Sequence, residues 1–193
     1  MGIEFELKYA ATAQAQAALR QALQGEWFTL QMETTYYDTR EGYLAQRHYT
    51  LRRRLETGRS VCTIKTPSGS TARGEWETEC EDILAAIPEL CKLGCPKDLA
   101  VFAAMGLTPV CGARFTRQAC TLRSGDAVLE LALDKGTLFG GSKEIPLCEV
   151  EVELKSGSEE AALAFGRDLA AAYGLHPEPK SKFRRALDLR EGE

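Results

Sequence analysis

Ile3-Glu4-Phe5-Glu6-Leu7-Lys8-Tyr9 opens the chain as a strict alternation of apolar and charged residues. In an extended strand, side chains two apart share a face, so Glu4, Glu6 and Lys8 point one way while Ile3, Phe5, Leu7 and Tyr9 point the other. The same period recurs far down the chain, where Glu149, Glu151 and Glu153 oppose Val150, Val152 and Leu154. Between these stretches, Glu75, Glu77 and Glu79 share a face, and Glu130 and Asp134 are in phase opposite Leu129, Leu131 and Leu133. Basic stripes accompany the acidic ones. Arg52 and Arg54 lie opposite Leu51, Arg53 and Leu55; Lys65 lies opposite Ile64; Arg117 is in phase with Arg123.

Any one of these stripes reads as the solvated face of an antiparallel sheet. The set reads differently, because helices with apolar faces flank the strands and need sheet surface to bury against. Those helices can cover the apolar faces from outside while the charged faces turn inward. Like carboxylates about 7 Å apart along a strand repel by roughly 2 kcal/mol at an effective dielectric near 20, so enclosing them is unfavourable unless something binds. Carboxylates become favourable around hard divalent cations such as Mg²⁺ and Mn²⁺, and guanidinium and ammonium groups around phosphate oxygens. A metal-bridged polyphosphate meets both demands.

The rest of the chain supplies the covering elements. Thr12 to Gln24 has Ala15, Ala18, Leu19, Ala22 and Leu23 at helical spacing, with Gly25 as its stop. Phe28 to Asp38, Thr50 to Leu55, Val61 to Thr66 and Glu75 to Glu79 read as strands, and Glu81 to Met105 as a helical insertion broken by Pro88 and by Gly94-Cys95-Pro96. Strands return at Ala113 to Arg123, Ala127 to Asp134 and Leu147 to Leu154. Ser158 caps a helix running to Tyr173 and ended by Gly174, and a last helix covers Ser181 to Leu189. Asp38 and Thr39 read as turn residues bonding local backbone, Arg53 as a surface residue, and His48 and His176 carry no chemistry that the pattern can assign.

Composition excludes several classes. At 193 residues and 44% hydrophobic, the chain suits a single domain, 1-193, with the helical insertion near 81-106 and C-terminal helices near 158-190. No run of about 18 apolar residues and no secretory leader is visible, so a cytoplasmic location and no membrane partner are expected. A net charge of −4 argues against nucleic acid as a partner, leaving a small-molecule polyphosphate caught by a local basic cluster; the oligomeric state stays open. The seven cysteines form neither a disulfide framework nor, with two histidines, a zinc site.

The ordered pieces Glu4-Phe5-Glu6-Leu7-Lys8, Tyr36-Tyr37-Asp38-Thr39, Leu51-Arg52-Arg53-Arg54, Thr63-Ile64-Lys65, Arg73-Gly74-Glu75, Phe115-Thr116-Arg117, Ala132-Leu133-Asp134, Cys148 to Glu153 and Ser181-Lys182 resemble the CYTH superfamily, also called triphosphate tunnel metalloenzymes. Its bacterial inorganic triphosphatases are the most similar branch. The resemblance implies an α+β fold, an eight-stranded antiparallel closed β-barrel forming a tunnel with a charged interior and helices packed on the outside. It implies that Glu4, Glu6, Glu149, Glu151 and Glu153 hold one or two Mg²⁺ or Mn²⁺ ions, and that Lys8, Arg52, Arg54, Lys65, Arg117 and Lys182 grip phosphate oxygens. Glu75 and Asp134 become accessory ligands or partners of those bases. Phe115 stands where many relatives carry a base, with Arg114 beside it, and the further C-terminal helical domain of near relatives has no counterpart here.

The implied reaction is metal-dependent hydrolysis of inorganic triphosphate to pyrophosphate and orthophosphate. A thiamine or nucleoside triphosphatase would use the same phosphate grip, with Trp27, Trp76 or Tyr43 as candidate aromatic platforms. An adenylyl cyclase of the superfamily would orient its substrate differently, and a non-catalytic polyphosphate-binding module could dispense with the acids. Phosphoryl transfer needs positioning and charge neutralisation rather than a protein nucleophile, so the lack of a catalytic histidine is no objection.

Overall fold

The computed structural model describes residues 5–68 and 72–191. In chain order the elements are β1 (Glu6–Ala10), α1 (Ala13–Ala22), β2 (Trp27–Asp38), α2 (Tyr43–Gln46), β3 (Thr50–Glu56), β4 (Arg59–Ser68), β5 (Ala72–Glu79), α3 (Ile83–Lys92), α4 (Asp98–Ala104), β6 (Thr108–Ser124), β7 (Ala127–Gly140), β8 (Lys143–Ser156), α5 (Glu159–Tyr173), β9 (His176–Pro177) and α6 (Lys182–Glu191). The strands form one antiparallel sheet in the order β5-β4-β3-β2-β6-β7-β8-β1-β9.

Eight strands were expected and nine are present among the described residues, because His176–Pro177 pairs with Tyr9 and Ala10 on the edge of β1. Among the described residues the hydrogen-bonded order runs from β5 to β9 without joining its two ends. The sheet is nevertheless strongly curled. In a flat sheet β4 and β1 would stand roughly 29 Å apart, six inter-strand spacings, yet Lys65 and Lys8 line the same cavity.

The outer, apolar face is covered as the periodicity requires. Helices α1 and α5 bury Leu19, Ala162 and Leu169 against Leu129, Leu131, Leu133, Val150 and Val152. Helices α2, α3 and α4 bury Leu44, Ile87, Leu90, Leu99 and Phe102 against Leu51, Cys62 and Ile64. Thr12, Asp82 and Ser158 cap α1, α3 and α5 through their side chains, and Gly174 closes α5 at φ 63, a conformation that glycine adopts without strain. Pro88 lies inside α3 rather than breaking it; the burial of Ile83, Ala86, Ile87 and Leu90 outweighs the missing N–H donor. Asp38 does bond local backbone, accepting from the amides of Thr39, Leu44 and Ala45.

Two features depart from the periodicity reading. Strands β6, β7 and β8 reach 17, 14 and 14 residues, so the stretch from Lys135 to Pro146 is a continuous hairpin rather than a loop. Its glycines and proline disguise the pattern. Helix α6 also packs on the inner face at one end of the curl, not on the outside. Its Ala186 and Leu187 join Met32, Tyr36, Phe115, Leu138 and Leu147, inward-phase residues that are apolar and need cover. Gly140 permits this approach, since a Cβ there would meet the carbonyl oxygen of Ala186 at 2.1 Å.

Candidate functional site

The inner face encloses a cavity lined by Glu6 and Lys8 of β1, Tyr36 of β2, Thr50, Arg52 and Arg54 of β3, Lys65 of β4, Arg117 of β6, Glu151 and Glu153 of β8, and Ser181, Lys182 and Phe183 beside or within α6. Strand register explains the gathering. Glu6 and Glu153 are directly opposite, as are Lys8 and Glu151, and Arg117, Asp134 and Glu149 sit side by side across β6, β7 and β8. Glu130 lies opposite Glu153, extending the Glu6–Glu153 row into three acids, with Lys155 at 2.8 Å from Glu153 and 3.7 Å from Glu130. Like charges placed directly opposite are destabilising, so this row favours a bound cation.

The opposing wall is basic and loosely compensated. Arg52 is 3.8 Å from Glu75, Lys65 is 3.3 Å from Glu75, and Arg54 is 3.7 Å from Glu56 while its Nε donates to Thr34 Oγ1. Arg52 Nε is buried and has no hydrogen-bond acceptor among the described residues. Burial, followed by the charges of Arg52 and Arg117, lowers the Arg54 guanidinium from its ordinary value to about 10. A cation destabilised by burial and like charge is stabilised by an incoming anion.

A second, tightly closed cluster runs from the acidic wall, through Glu151, Arg117 and Lys182, to Asp134, Glu149 and Arg185 behind it. Arg117 forks onto both oxygens of Asp134 at 2.8 and 2.7 Å and also meets Glu151. Lys182 Nζ stands 2.9 Å from Asp134, 2.5 Å from Glu149 and 2.5 Å from Glu151. Arg185, on the next turn of α6, pairs with Glu149 and reaches Glu178 at 3.3 Å. Burial pushes the Glu151 carboxyl up, but Lys182 and Arg117 overcome that and hold it well below the ordinary carboxylate range. Burial likewise opposes the Lys182 charge, and Glu151, Asp134 and Glu149 more than reverse it.

Most of the residues read from the sequence therefore converge, with three differences. Glu4 lies outside the described residues. Glu149 and Asp134 are fully buried behind the cavity, where they anchor Lys182, Arg117 and Arg185. Lys182, expected to grip phosphate, turns its ammonium into three carboxylates, because α6 packs on the inner face and brings it there. Glu75 stands as the partner of Lys65 and Arg52, and Glu79 is an exposed partner of Arg59. Two contributors escaped sequence reasoning. Arg185 shares a helical face with Lys182, a signal that spacing offers. Gln16 of α1 donates to the carbonyl oxygens of Asp134 and Glu149 at 2.9 and 2.7 Å, and nothing local marks it.

The model of the CYTH domain matches residues 2–187 of this sequence. The chain belongs to the CYTH family. A protein of Haemophilus influenzae named inorganic triphosphatase is 28% identical over 190 residues, covering 94% of this chain and 53% of its own, so the chain spans about half the length of that relative. Among solved structures, a Hippeastrum protein named for adenylyl cyclase and described as revealing a dominant triphosphatase activity superposes with a TM-score of 0.70 at 18% identity, covering 97% of this chain and 96% of its own. A protein of Pyrococcus horikoshii superposes with a TM-score of 0.64 at 20% identity, covering 97% and 99%. Both likenesses concern the fold.

The seven cysteines are all free thiols. Burial pushes Cys62 and Cys95 up to about 12, so they act as small hydrophobes. No helix among the described residues is long and apolar enough to cross a membrane.

Proposed function

We propose that this CYTH domain hydrolyses inorganic triphosphate to pyrophosphate and orthophosphate, with Mg²⁺ or Mn²⁺ bound in the cavity. One observation carries the reading: a single cavity has Glu6, Glu151 and Glu153 along one wall and Arg52, Arg54 and Lys65 along another. In this reading the eight longer strands form the wall of a closed tunnel, within a single domain placed in the cytoplasm, and neither nucleic acid nor membrane is a partner.

Arg52, Arg54 and Lys65 bind the phosphate oxygens at one end of the substrate, where the orphaned Arg52 Nε gains an acceptor and the depressed Arg54 gains a counter-charge. Lys8 and Arg117 bind oxygens nearer the acidic wall. Glu6, Glu151 and Glu153, with Glu4 ahead of them, hold the cation; their hard oxygen donors and the row of facing acids suit Mg²⁺ or Mn²⁺. Bound there, the ion supplies charge neutralisation and a water made more acidic. A carboxylate of the same wall orients the attacking water, whose oxygen bonds to phosphorus as the bridging oxygen departs with pyrophosphate. The Haemophilus and Hippeastrum names support this choice of substrate class.

The test is a panel of inorganic triphosphate, thiamine triphosphate and ATP with Mg²⁺ or Mn²⁺, following orthophosphate and pyrophosphate. Triphosphate is expected to be consumed fastest; faster consumption of ATP overturns the assignment. Glu6→Gln, equal in size and lacking one ligand charge, is expected to abolish turnover while leaving the fold intact.

A further inference from the structure

The buried oxygens of Asp134, Glu149 and Glu151 lie within 4.8 Å of one another, a spacing that suits a metal ion. Their surroundings do not suit an added ion. Three carboxylates face three cations, Arg117, Lys182 and Arg185, so the cluster is neutral as it stands. The Lys182 ammonium sits within 2.9 Å of all three acids and fills the seat a metal would take. A dication entering beside it would meet an ammonium at contact distance in a buried setting, where like charges repel strongly. Glu149 Oε2, fully buried, lies 2.5 Å from Lys182 Nζ, which supplies its counter-charge.

We propose that Lys182 is a resident cation which holds the inner carboxylate seat against divalent metal and confines metal binding to the outer row of Glu6 and Glu153, with Glu151 shared between the two. Asp134 and Glu149 are then not metal ligands. They fasten α6 into the curl through Lys182 and Arg185, which makes Arg185 a positioning residue for Glu149. This inference rests on the reading that a divalent cation enters the cavity, but it concerns where the ion binds and not what it catalyses.

Mn²⁺ binding without substrate, counted from the free-ion electron paramagnetic resonance signal, separates the two. Lys182→Met opens the inner seat, and the variant is expected to bind one more Mn²⁺ per chain than the wild type. Lys182→Met combined with Glu149→Gln leaves two carboxylates facing two guanidinium groups, a neutral set lacking the third ligand, and is expected to lose the extra ion. Equal counts in wild type and Lys182→Met, or an extra ion retained in the double variant, overturn the proposal. Lys182→Met alone leaves excess negative charge in a buried site, so its thermal unfolding is followed with and without Mn²⁺. Folding rescued by Mn²⁺ supports the inner seat, and a variant unfolded under both conditions overturns it. These counts stand whether or not triphosphate is hydrolysed.

Discussion

The two charged regions of the inner face use the same residue types to opposite ends. In the cluster at α6, three acids and three bases are matched, and most contacts lie at 2.9 Å or less. On the β3 and β4 wall, Arg52 and Lys65 stand 3.8 and 3.3 Å from Glu75, and Arg54 stands 3.7 Å from Glu56. The first region is closely ion-paired and contributes structure. The second pairs at longer range and holds Arg54 destabilised by burial and by the charges of Arg52 and Arg117, and so favours an anion. The distances to partners separate the two.

The largest expected effect comes from breaking the closely paired region. Asp134→Ala removes a fully buried partner from both Arg117 and Lys182, and urea unfolding is expected to show a loss of about 3–5 kcal/mol, the range for a buried pair left with an unmatched charge. On the other wall the balance reverses. Arg54→Met relieves repulsion with Arg52 and Arg117, so stability is expected to hold or rise, while triphosphate affinity falls about tenfold to a hundredfold for the lost charged hydrogen bonds. Binding calorimetry beside urea unfolding resolves both signs, and a loss of stability comparable to Asp134→Ala would erase the contrast between the regions.

Acid sharpens the comparison further. The Glu151 carboxyl is held below its unfolded value, so the unfolded chain binds the extra proton. Its contribution to stability is present above the ordinary carboxylate pKa of about 4.5 and is lost as pH falls toward the folded value. Denaturation curves between neutral pH and pH 3 are expected to show this loss in the wild type, with a shallower dependence in Glu151→Gln. Arg54 gives a slope of the same sign at high pH, for the opposite reason. Its folded value of about 10 lies below the ordinary 12.5, so its unfavourable contribution is relieved as pH rises through that window. The smallest effect belongs to Glu79→Ala, whose exposed pair with Arg59 belongs to neither region; unfolding temperature and turnover are both expected to stay unchanged.

Period-two alternation was enough to place Glu6, Lys8, Arg52, Arg54, Lys65, Arg117, Glu151 and Glu153 on one face, because phase in a strand is a local property. It also sorted Arg53 to the opposite face, where it pairs with Glu81. The long β7–β8 hairpin was hidden by Gly136, Gly140 and Pro146; the two glycines reflect the close packing of neighbours rather than a turn, and Pro146 lies within β8 opposite Thr137. With that hairpin unread, the apolar end of the inner face was invisible, and so was the reason for α6 to enter it.

The sequence by itself determined which residues share a face, where helices α1, α3 and α5 begin, and that acids and bases recur in separate stripes. Those are matters of period and capping, settled within a few residues. Tertiary structure alone decided which charges meet. Curling brings Lys65 and Lys8 to one cavity although six strand spacings separate them in the sheet, and the docking of α6 sets Lys182 at the cavity wall with its ammonium against Asp134, Glu149 and Glu151. Coulomb energy depends on distance and burial, and neither is written in the order of the residues.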